Sequence, residues 1–90
     1  MASEHWKGVK RLLNRLGIER EPSICGGSAT IVRTRIPVWV LEQAHRLGMS
    51  EAELLRSYPS LRAEDLANAW AYVRSHREEI EREIVENEAA

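Results

Sequence analysis

Ninety residues, 43% of them hydrophobic and 30% charged, bound one small folded domain: too apolar for wholesale disorder and too short for a second core. A net charge of -1 and a pI near 6.3 exclude a uniformly basic nucleic-acid binder. No apolar run approaches the roughly 20 residues of a membrane span, the lone Cys25 cannot close an internal disulfide, and MASEHWKGVK lacks the apolar core of a signal peptide, so a reducing cytoplasm is the expected location.

In SEHWKGVKRLLNRL, residues 3–16, Trp6, Val9, Leu12, Leu13 and Leu16 recur at three- and four-residue spacing, the pattern of one apolar helix face, and Gly17 ends it. REPSICGGSA gathers proline, serine and glycine and reads as a loop, tightest at Cys25-Gly26-Gly27. The β-branched run TIVRTRI that follows is too short for a helix and predicts a strand, paired with the segment around Ile24. Pro37 at a first helical position starts a helix that runs to Leu47 and stops at Gly48.

Ser50 and Glu53 have the spacing of a capping box and start the short helix EAELLRSY, which Pro59 stops. The last helix begins near Leu61 or Arg62 and runs on: Leu66, Trp70, Val73, Ile80 and Ile84 follow one another at spacings of four, three, seven and four, with Arg77 in the gap. The stripe is close to a heptad seam and outlasts the two helices before it. Its far end is expected to need another cover: the amino-terminal helix, a second copy of the chain, or a different protein.

Charge divides the same way. Up to Ser50 the chain has eight lysines and arginines against four carboxylates; beyond it, five arginines against ten. A basic front suits phosphate and an acidic tail suits a basic protein, or the front of one subunit meets the tail of another.

The stretch from Ile24 to Leu61, followed by EDLANAWAYV, resembles the domain-of-unknown-function family numbered 433. The resemblance covers about residues 24–73, on Cys25-Gly26-Gly27, Thr34-Arg35-Ile36-Pro37-Val38, Gly48 with Ser50, Tyr58-Pro59, Leu61, and Glu64-Asp65 leading to Ala69 and Tyr72. It implies a mainly α fold: a short β-hairpin, then a helix-turn-helix three-helix core of homeodomain-like or winged-helix-like type. It also implies an antitoxin of a type II toxin-antitoxin pair, similar to the VapB class and encoded beside a PIN-like nuclease toxin. Where the family usually has Lys-Pro after the glycines, this chain has Ser28-Ala29; where it usually has Arg-Gly or Lys-Gly, this chain has Val32-Arg33, which predicts a different hairpin tip. Arg62 stands where the family tends to have Thr or Ser, and arginine is a poor N-cap.

Residues 51–58 serve in this reading as the positioning helix and 62–75 as the recognition helix. Arg62, Asn68 and Arg74 are its candidate DNA contacts, because asparagine reads adenine bidentately and arginine holds phosphate or guanine. Glu64 and Asp65 in the first turn oppose this by repelling a phosphate backbone. A dimer that sets two copies of Arg33 and Arg35 beside two such corners answers the objection by doubling the phosphate contacts. The final helix offers Arg77, Ile80, Ile84 and Val85 as contacts for a partner protein, an amphipathic helix lying in a groove.

An enzyme is the weakest reading. His5, His45 and His76 are scattered without metal-ligand spacing, Cys25 has no histidine near it in sequence to act as a base, and the glycine pair lacks the lysine of a phosphate loop. Trp39 and Trp70 read as core rather than as stacking platforms. The sequence is thus expected to be a non-catalytic antitoxin with no cofactor and no metal, an operator-binding homodimer that neutralises a toxin through its last helix. A DNA-binding regulator without a toxin, or a homo-oligomeric interaction module, are the competing readings. It divides into 1–17, an amphipathic helix; 18–75, the core; and 76–90, an acidic extension.

Overall fold

In a computed structural model, which describes residues 17–20 and 27–89, the β-branched run after the glycines is strand for only part of its length. Strand β1 (Ile18–Arg20) pairs antiparallel with β2 (Ala29–Ile31), Ile18 opposite Ile31 and Arg20 opposite Ala29. The pairing partner is therefore the segment before the proline- and glycine-rich loop, and not the segment around Ile24. That segment, the amino-terminal helix expected over 3–16 and Cys25 lie outside the described residues.

At Val32 the chain leaves the strand. The N–H and hydroxyl of Thr34 both donate to the Ile31 carbonyl, at 3.2 and 2.9 Å, and Thr34 Oγ1 accepts from the Ile36 N–H at 3.1 Å. The Ile31 N–H reaches the Ile36 carbonyl at 2.9 Å, closing a hook that returns Pro37 opposite Thr30. Threonine wins over the strand because its side chain offers the backbone nearer partners. Arg33 and Arg35 in the hook have φ of 74° and 58°, left-handed conformations that glycine takes freely and that cost an arginine about 1 kcal/mol. The missing glycine is thus met by a left-handed arginine.

Pro37 is the N-cap of α1 (Val38–Arg46), one residue ahead of its expected place. Gly48, at φ 99°, closes the helix: its N–H donates to His45 and that of Met49 to Ala44, which satisfies two carbonyls the helix end would leave open. Ser50 and Glu53 form the capping box of α2 (Glu51–Ser57), each side chain bonded to the other's backbone N–H at 3.1 and 3.2 Å. The Ser50 N–H and hydroxyl hold the Glu53 carboxyl below its usual range.

Helix α3 (Ala63–Ser75) ends where the sequence pattern runs on. His76, at φ -133° and ψ 43°, breaks the chain, and α4 (Arg77–Ala89) starts beyond it. The Ser75 hydroxyl lies 3.2 Å from the carbonyls of Ala71 and Tyr72, and the His76 ring stacks on Tyr72, 3.9 Å apart and 5° from parallel.

The break lets α4 pack back on α1 and the hairpin. Ile80 and Ile84 are buried with Leu41, Val38, Leu66 and Ile31 in one core. Each isoleucine contributes about 1.5–3 kcal/mol by burial. The far end of the seam is therefore buried within this chain without a second copy or a different protein, and the amino-terminal helix, the other cover expected for it, lies outside the described residues. On the α1 side, Arg46 bridges Glu42 and Glu81; on the hairpin side, Arg20 reaches Glu79 and Ser28 reaches Glu83. Among the described residues no helix is long and apolar enough to cross a membrane. The fold is mainly helical with one small two-stranded hairpin, as the pattern predicts at that level.

Candidate nucleic-acid interface

Asp65 organises one end of α3. Its carboxylate is 3% exposed; one oxygen accepts the Arg62 N–H at 2.9 Å and the other lies 3.5 Å from Arg33 Nη2. A guanidinium has no acceptor, so Arg62 gives α3 no side-chain cap, and Asp65 supplies the reciprocal half of the box from the third helical position. The same carboxylate therefore fixes the helix start and holds the hook that carries Arg33.

Two of the sequence-selected residues, Arg33 and Arg62, meet here through Asp65. Arg33 and Arg35 extend from the hook, two residues apart on left-handed backbone, and Arg62 stands at the foot of α3 beside Glu64, 3.5 Å from its Oε1. Asp65 does not oppose a phosphate in the way its sequence position suggests, because its charge is turned inward and matched by Arg33 and the Arg62 N–H. Glu64 remains exposed.

The other candidates lie elsewhere. Asn68 packs against Gly17, whose φ is 78°: a Cβ there would lie 2.3 Å from Asn68 Nδ2, so the side chain fills a backbone gap and leaves the outer face of α3. That outer face presents Ala63, Glu64, Ala67, Ala71 and Arg74, all exposed. Arg74 is twelve residues along the helix from Arg62, about 18 Å at 1.5 Å per residue.

Arg74 shares two surface hollows with Arg77. One runs between α1 and α3 past Glu42, His45 and Trp70; the other lies in the elbow between α3 and α4, where Ser75, Glu78 and Arg82 also line it. Trp39 and Trp70 pack partly buried on the core, and the His45 ring lies 4.9 Å from that of Trp70. Of the residues selected for a partner protein, Ile80 is fully buried and Ile84 is 4% exposed, whereas Val85 is 55% exposed and Arg77 is exposed. The two isoleucines are core in this fold and offer no outer surface.

Sequence reasoning missed a partly buried polar cluster beside the elbow. Tyr72 donates to Glu79 at 2.7 Å, and Arg20 reaches both residues. Burial and the bond to Glu79 push the Tyr72 phenol well above its ordinary value. Burial works against the Arg20 charge, yet its bonds to Glu79 and Tyr72 outweigh this and raise it. Spacing gives no hint of the contact, because Arg20 and Tyr72 are 52 residues apart. For Asp65 a signal did exist: an acid three residues after an N-cap position is the second half of a capping box. Among the described residues, no group of three or more His, Cys, Asp or Glu side chains comes together as a ligand set for a metal.

Comparison with known proteins agrees with this architecture. No curated protein matches the chain. The crystal structure at 2.00 Å of a DUF433 member protein from Anabaena variabilis ATCC 29413 is similar, with a TM-score of 0.77 and 43% identity over 93% of this chain and 81% of that one. Residues 18–73, from the first strand to the last buried turn of α3, match the family described as "Protein of unknown function (DUF433)", and the chain belongs to that family.

Proposed function

We propose that this protein is a non-catalytic, antitoxin-like DNA-binding protein, in which a homodimer sets two copies of one basic corner on operator DNA. The observation that carries this reading is the meeting of Arg33 and Arg62 at the foot of α3, tied together by the buried Asp65, with Arg35 two residues along the same hook. In it, α2 and α3 act as a helix-turn-helix of homeodomain-like kind, with the β1–β2 hairpin beside them as a small wing. Phosphate contacts come from the hook and the foot of α3. The outer face of α3 is mostly alanine with Glu64, and its one side chain suited to a base edge, Arg74, stands at the far end from the foot; this favours contacts to the backbone and to shape over direct reading.

Neutralisation of a PIN-like toxin, in this reading, falls to the outer face of α4, where Val85 and the exposed Glu78 and Glu86 stand, since Ile80 and Ile84 are used in the core. The same burial favours a second reading: α4 completes the DNA-binding domain, which acts as a regulator with no toxin.

The test is binding to the DNA upstream of the protein's own gene, across a range of salt. Arg33→Gly with Arg62→Gln is expected to weaken binding at least tenfold near 0.1 M salt and to lower the salt dependence by about two phosphates per protomer. Arg33→Gly relieves a left-handed arginine while removing one ion pair, so stability should stay within about 1 kcal/mol. Unchanged DNA binding in the double variant overturns the reading. Co-expression with the flanking genes separates the two versions: a nuclease-like companion in fixed ratio supports the antitoxin, and its absence supports the regulator.

A further inference from the structure

We propose that the α3–α4 elbow is a second, separate anion site that binds a phosphate group, supplied by a single-stranded polynucleotide or by a small phosphorylated molecule. Arg74, Arg77 and Arg82 line one hollow there, and all three are exposed. Arg20, Arg33, Arg46 and Arg62 each have a carboxylate within 4 Å; among the described residues these three have none. Arg74 and Arg77 also line the neighbouring hollow together, although like charges three residues apart repel by a few tenths of a kcal/mol. Among the described residues no ion pair uses this charge.

The carboxylates at the hollow do not cancel it. Glu79 is already committed to Arg20 and Tyr72, which leaves Glu78 alone against three guanidinium groups. The break at His76 is what gathers them, since it brings one arginine from the end of α3 and two from the start of α4 to a common cavity. The thirteen-residue α4 also starts beside the hollow, and its first-turn amides precede its first helical bond, in which the His76 carbonyl accepts from Ile80 at 3.1 Å. The arginines carry the inference and the helix start adds to it.

Phosphate fits better than carboxylate. One guanidinium satisfies a carboxylate bidentately, whereas three of them plus backbone N–H groups match the larger number of acceptors and the higher charge of a phosphate. The site lies at the opposite end of α3 from Arg33, Arg35 and Arg62, so it neither requires nor excludes operator binding.

The experiment follows backbone amides of the isotope-labelled full chain by NMR during titration with pyrophosphate at constant ionic strength, and then with a short single-stranded oligonucleotide. Saturable shifts of residues 75–79 are expected with pyrophosphate. The exposed triple variant Arg74→Gln, Arg77→Gln, Arg82→Gln should weaken binding at least tenfold, while Arg33→Gly with Arg62→Gln leaves it unchanged. If the oligonucleotide shifts the same amides, and the triple variant lowers its logarithmic salt slope by about 2, the source is a polynucleotide backbone. If only pyrophosphate does so, the source is a small phosphorylated molecule. Absence of saturable shifts at 75–79, or equal affinity in the triple variant, overturns the proposal.

Discussion

Each end of α3 carries a group of arginines, and the two groups are held in opposite ways. At the foot, Arg33 and the backbone of Arg62 are bonded to a carboxylate that is 3% exposed, so the charge is part of what positions the hook against the helix. At the elbow, Arg74, Arg77 and Arg82 stand on a surface whose structure comes from the groups beneath them: Ile80, Ile84 and the Arg20–Tyr72–Glu79 cluster. The lesson is that the buried carboxylate at the foot cannot be removed without touching the fold, whereas the exposed charge at the elbow can.

The strongest way to break the comparison is to remove what lies under the elbow. Ile80→Ala deletes a fully buried side chain between α4 and the core, and a loss of about 2–5 kcal/mol is expected in denaturant unfolding. A loss below about 1 kcal/mol would show that α4 is a loosely attached extension rather than part of the core.

Asp65→Ala comes next, at about 1–3 kcal/mol, since it leaves the Arg62 N–H and Arg33 without their common partner. The hook and the start of α3 should lose amide-exchange protection together while the elbow keeps its own. Equal loss at both ends would erase the distinction between them.

Tyr72→Phe is the smallest change, at about 1 kcal/mol near neutral pH. Its pH dependence sharpens the assignment. A phenol raised in the folded state contributes stability that is fully present below its unfolded value of about 10 and is lost as pH rises towards the folded value. The natural protein should therefore lose stability above about pH 10 with a steeper slope than Tyr72→Phe. Parallel slopes would remove Tyr72 as the source.

Much of the punctuation was legible in the sequence. Gly48, the Ser50–Glu53 box and Pro59 each act through neighbours within a few residues, so their spacing states what they do. The strand was less legible: β-branched residues favour extended chain, yet the Thr34 hydroxyl turns it at Val32, and the strand partner lies across the loop that follows Arg20. The break at His76 was hidden because apolar spacing continues across it without glycine or proline.

For the candidate site, the sequence supplied the arginines but not their grouping. It placed Asn68 on a reading face, where the fold uses it to fill the gap over Gly17. It assigned Ile80 and Ile84 to a partner, where α1 and the hairpin already cover them.

By itself, then, the sequence determined where α1 and α2 start and stop, where α3 starts, and that one face of each is apolar, because caps and periodicity are short-range and each is satisfied inside its own segment. Tertiary structure decided which element covers the last helix, which carboxylate neutralises which arginine, and which cations remain unpaired. Those outcomes depend on apolar surface and charge brought together from residues 20, 33, 65, 72 and 79, whose proximity no local spacing encodes.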